Sequence, residues 1–134
     1  MSGQTVSKQF NFNENIDGGY LFSLYADDYA YLEEVFLTTL RHFDPDVESI
    51  KLAYADGNIA DLKRGIHKIK PTFGFVGLLA IELACKDFEE LCQHTASAED
   101  IAGEYKLIMR QLQDGKEIME TEYKRLKEFN ANPL

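Results

Sequence analysis

Ile59-Ala60-Asp61-Leu62-Lys63-Arg64-Gly65-Ile66-His67-Lys68-Ile69-Lys70-Pro71-Thr72-Phe73-Gly74-Phe75-Val76 is the stretch that decides the fold. Ile59, Leu62, Ile66, Ile69, Phe73 and Val76 follow one another at alternating spacings of three and four. That is the seam of a helix packed in a bundle. Gly77 ends it.

Working outward, similar periods appear on both sides. A helix is expected from Leu79 to His94, with Ile81, Ala84, Cys85, Phe88, Leu91 and Cys92 on one face. A polar Thr95–Ala98 link leads into a long final helix, Glu99 to Phe129, with Ile101, Tyr105, Ile108, Leu112 and Met119 inward. Upstream, Asp27 and Asp28 are suited to cap a helix running to Phe43 along Leu32, Phe36, Leu40 and Phe43. Pro45 marks a kink or restart before a stretch reaching Ala55, which Asp56-Gly57-Asn58 closes. Tyr20–Tyr25 reads as one or two further helical turns, and residues 1–17 as a loose leader. No β-type alternation occurs, so the expected fold is all-α: an antiparallel four-helix bundle over residues 18–130, with a short additional N-terminal helix.

Bulk properties narrow the function. A chain of 134 residues with 45% hydrophobic residues makes one globular domain. No apolar run approaches the ~20 residues of a membrane span, and the polar N-terminus lacks signal-peptide character, so a cytoplasmic location is expected. A net charge of −9 opposes nucleic-acid binding. Cys85 and Cys92, two helical turns apart, are too distant for a disulfide and read as buried thiols. Once the core is built no second long apolar face is evident, which predicts a monomer.

The chemistry lies on the side of the decisive helix that the core does not use. On a helical projection the apolar positions centre roughly 130° from His67, whereas Lys63, Lys70, Pro71 and Gly74 fall within about 60° of it. Lys63, Arg64, Lys68 and Lys70 make this the basic patch of an acidic chain. Imidazole titrates near neutrality and is nucleophilic when unprotonated. Lys70, one turn on, is placed to offset negative charge acquired by the ring. Lys68 points the other way and reads as a solubility residue. His42 and His94 lie near helix C-termini and read as structural. Glu82, Asp87, Glu89 and Glu90 read as a solvated face, and Tyr25, Tyr29, Tyr31 and Phe36 chiefly as packing. No spacing suggests a metal site, and no nucleophile–base pair stands out.

The run His67-Lys68-Ile69-Lys70-Pro71-Thr72-Phe73-Gly74-Phe75-Val76-Gly77-Leu78 resembles the signature of the histidine-containing phosphotransfer (HPt) domain family. Leu83, Cys85, Phe88, Glu89 and Cys92 resemble the helix that follows it there, and the similarity extends over about Gly18 to Phe129. The resemblance implies a helical-bundle phosphocarrier without kinase activity of its own. Its partners would be response-regulator receiver domains or a hybrid sensor histidine kinase, and the receiver would supply Mg2+, the carrier holding no cofactor. It implies His67 as phosphoacceptor, Lys70 as charge partner and Gly74 as an access position. Lys63, Arg64, Pro71 and Phe75 would serve receiver docking. Pro71 departs from the family's usual Gly and removes a backbone donor, so a bend is expected at the site. Phe73 and Phe75 are bulkier than the family's small residues. A free-standing carrier is expected, and a helical adaptor that binds receivers or kinases without being phosphorylated is the alternative.

Overall fold

Residues 8–132 are described by the structure, a computed structural model. Five α-helices follow one another: α1 (Gly18–Tyr25), α2 (Tyr29–Ala55), α3 (Ile59–Phe75), α4 (Leu79–Gln93) and α5 (Ala102–Ala131), the last preceded by a 3-10 turn at Ala98–Ile101. Helices α2 to α5 form a closed ring of neighbours, with α1 laid on α2. The links at 56–58, 76–78 and 94–101 force successive helices antiparallel. Phe36, Leu62, Ile66, Ile69, Phe73, Leu112 and Met119 fill the middle of the bundle, all fully buried.

The boundaries follow from local chemistry. Asp17, Asp28 and Asn58 cap α1, α2 and α3 by accepting from the backbone N–H groups of Tyr20, Tyr31 and Asp61 at 2.9, 3.1 and 3.0 Å. At the end of α2 the Asn58 N–H reaches the Ala53 carbonyl and that of Gly57 reaches Tyr54. At the end of α3, Leu78 reaches Phe73 and Gly77 reaches Gly74. Both are Schellman closures, and they place Gly57 and Gly77 at φ 68° and 76°.

Two expectations need correcting. Pro45 neither kinks α2 into two elements nor restarts it; one helix of 27 residues passes through. The buried stripe Leu32, Phe36, Thr39, Phe43, Ile50, Ala53 stays in phase across the proline. Packing on both sides therefore outweighs the single backbone bond that Pro45 forfeits. Residues 8–17, assigned to the loose leader, lie as a strap over the bundle; Met1–Ser7 fall outside the described residues. Phe10 and Ile16 are buried, and Phe10 meets Phe129 edge-to-face. The buried Glu122 carboxylate accepts from the Asn13 N–H and from Arg125, which donates in turn to the Asn11 carbonyl. The Asp17 N–H donates to the Gly77 carbonyl, tying the strap to the α3–α4 turn. Isolated apolar residues in a polar segment carry no period, so the sequence could not announce this.

Candidate functional site

Helix α3 presents His67 on the surface, with 71% of its side chain exposed. The imidazole is held from one side only. Its Nδ1 lies 2.5 Å from Oε1 of Glu89 on the neighbouring α4, and the other carboxylate oxygen accepts from the Lys70 ammonium at 2.6 Å. The Glu89 carboxylate is 9% exposed and Lys70 is 24% exposed. A carboxylate that close to a ring nitrogen fixes it as the donor. In the neutral ring Nε2 is then the nitrogen that carries the lone pair, on a side chain that is largely exposed. The buried acid is matched by the adjacent cation, which offsets the cost of withdrawing a carboxylate from water.

Glu89 is the residue the sequence reading misplaced. Read as part of a solvated face, it is in fact buried between α3 and α4. The signal was present: Glu89 lies four residues after Cys85 and three before Cys92, both on the core stripe of α4. An acid on an apolar stripe needs a partner, and antiparallel pairing of α3 with α4 supplies two.

The remaining residues divide. Lys63, one turn before His67, donates to Gln93 of α4 at 3.3 Å, so it extends the α3–α4 polar row. Arg64 is exposed and pairs with Asp61 of its own helix at 3.2 Å. It turns toward α2, where Lys68 meets Asp46 at 3.4 Å. These two cations flank the imidazole without joining the Glu89 cluster. Pro71 is exposed, one turn beyond His67, and α3 continues through it to Phe75. The missing N–H leaves the His67 carbonyl without its usual intrahelical donor. Gly74 is buried rather than open: the Glu82 carboxylate of α4 occupies the place where a Cβ would stand. Its lack of a side chain is used by the α3–α4 packing. Phe75 is 51% exposed, and its carbonyl accepts from the Tyr25 hydroxyl at 3.0 Å. Tyr25 adjoins the exposed Tyr31, so an apolar patch runs from the end of α3 across α1 to α2. Phe36 and Tyr29, by contrast, are packing residues.

Among the described residues no group of three or more His, Cys, Asp or Glu side chains is arranged to hold a metal ion, and no helix is long and apolar enough to cross a membrane.

A family model described as Hpt domain matches residues 34–125. Among solved structures, the HPT domain of the Hpt sensor hybrid histidine kinase from Shewanella shares the architecture with a TM-score of 0.71. It is 15% identical, over 83% of this chain and 95% of that one. No curated protein matches.

Proposed function

The chain belongs to the Hpt domain family, the phosphotransfer modules of two-component signalling, and from that premise we propose that it is a phosphocarrier loaded on His67. The observation that carries this reading is the one-sided grip on the imidazole. Glu89 holds Nδ1–H, while Nε2 carries the lone pair, on a largely exposed side chain of a rigid helix. In the step proposed, that lone pair attacks the phosphorus of a receiver's aspartyl phosphate. The N–P bond forms as the P–O bond to the aspartate breaks, and the carboxylate departs with its electron pair. Nδ1 keeps its proton on Glu89, which stabilises the positive charge the ring develops. Return transfer to a second receiver is the same step reversed.

Phosphoryl transfer of this kind depends chiefly on positioning and charge neutralisation. This chain supplies the positioned nucleophile, and Lys70, one turn away, is a cation near the incoming phosphoryl group. The Mg2+ and the acidic pocket belong to the receiver. Arg64, Pro71, Phe75 and Tyr31 furnish the surface against which it docks, with Lys63 at its edge.

The test is transfer from a panel of radiolabelled phospho-receivers, with magnesium, onto the wild-type chain and onto His67→Gln. Acid-labile label is expected on the wild type and lost in the variant, whose circular dichroism stays unchanged. A folded wild-type chain that takes no label from any receiver or kinase would overturn the carrier reading and leave a phosphorylation-independent adaptor.

A further inference from the structure

The sequence predicts no leftover apolar face, yet one persists where α4 and α5 diverge. Two adjoining depressions, of about 290 and 210 Å³, meet at Gln111 and run along the two helices. Their α4 wall is Ala80, Ala84 and Leu91; their α5 wall is Leu107, Gln111 and Ile118. Leu107, in the second turn of α5, is 55% exposed. The two alanines lower one wall, so that another backbone can approach closely. The spacing of the α5 wall, at intervals of four and seven, is that of a helix prepared for a helical neighbour. From Glu104 to Ile118 the groove is about 21 Å long, room for roughly four helical turns.

The charges at its edge identify the kind of occupant. Asp87, Glu104 and Asp114 line the groove, and no Lys or Arg does. With −9 on the whole chain, a second copy would bring acid against acid. We propose that the α4–α5 groove docks an amphipathic helix of a partner protein, with an apolar stripe flanked by Lys and Arg. This surface lies on a different side of the bundle from His67, whose contacts run between α3 and α4. A partner held there leaves the phosphoacceptor open and raises the effective concentration of whatever it is tethered to.

The experiment uses the full chain and a synthetic amphipathic peptide of about 14 residues, Leu on one face and Lys on the other. A matched peptide carrying Glu for Lys serves as control. Binding is followed by calorimetry and by amide shifts. The expected result is saturable binding of the Lys peptide, with shifts centred on Leu91, Leu107 and Gln111, and none by the Glu peptide. Leu107→Asp should weaken it at least about tenfold, although that change makes the chain more acidic and would strengthen any non-specific attraction. Phe75→Ala should leave it unchanged. The proposal fails if a folded wild-type chain does not bind the Lys peptide. It fails equally if the shifts centre on Phe75 and Tyr31, or if Leu107→Asp binds as well as wild type.

Discussion

Glu89 shows how one side chain can set the chemistry of another. Its two oxygens are divided between the ring of His67 and the ammonium of Lys70. The lysine stabilises the buried carboxylate, and the carboxylate selects the tautomer that leaves Nε2 free. Glu89 is thus a positioning residue. Replacing it with Ala is expected to lower kcat/KM for receiver-to-His67 transfer by about 10²-fold, the scale of a misplaced reacting group. Helical content should be unchanged. Glu89→Gln retains an oxygen that can accept from Nδ1–H but not the negative charge, so it should recover only the part of that loss that comes from orienting the ring. The nitrogen chemical shifts of His67 should report the Nδ1–H tautomer in wild type and in Glu89→Gln, and a mixture in Glu89→Ala. Equal rates in all three chains would remove Glu89 from the mechanism. The sequence disclosed His67 and Lys70 because both lie on one helix, where spacing gives direction. It concealed Glu89 because the contact is between helices, and only the register of α3 against α4 creates it.

At the level of elements, periodicity was the reliable guide and single residues misled. The stripe of α3 and the glycines that close α2 and α3 were all legible, since each acts within about one helical turn of itself. Pro45 was over-read: a proline lowers the stability of a helix but cannot by itself end one whose two halves share a core. The ends of the α1–α2 junction, Tyr25 and the Asp28 cap, were legible too, but its backbone conformation was not. Nothing about an alanine announces that Ala26 adopts φ 52°, ψ −130°, a conformation that only glycine enters readily. It is held there because α1 ends at Tyr25 and the Asp28 cap follows almost at once, with the Ala26 N–H on the Phe22 carbonyl and that of Asp28 on Tyr25. Ala26→Gly should relieve this strain. After allowing for the extra freedom glycine gives the unfolded chain, a net stabilisation of about 1 kcal/mol is expected. Urea unfolding should show it as a higher midpoint with an unchanged slope. An unchanged or lower midpoint would mean that the turn carries no strain worth relieving.

Over the whole molecule, one core joins the parts that function keeps separate. The strap, α1 and the α3–α4 turn share the contacts of Ile16 and Leu21 with Gly77, while α4 carries the acid that orients His67 and one wall of the α4–α5 groove. Cys85 and Cys92 lie within α4, both free and buried, and they report on this unity. Burial, reinforced by the nearby Glu89 charge, pushes the Cys85 thiol up from 9.0 to about 12, against a smaller opposing pull from Lys70. Burial likewise raises Cys92 to about 11. The folded state thus disfavours the thiolate, whereas the unfolded chain ionises near the ordinary value. The stability this represents is fully present below about pH 9 and is lost as the pH rises from there toward 11 and 12. Denaturation midpoints should therefore fall between pH 9 and pH 11, and less steeply in a Cys85→Ala, Cys92→Ala chain. Reaction of the native thiols with a disulfide reagent should be slow at pH 8 and accelerate with added urea in step with global unfolding, because the thiols are reached only when the bundle opens. Fast labelling insensitive to urea would show instead that α4 opens alone, carrying Glu89 away from His67 while the rest of the bundle stays folded.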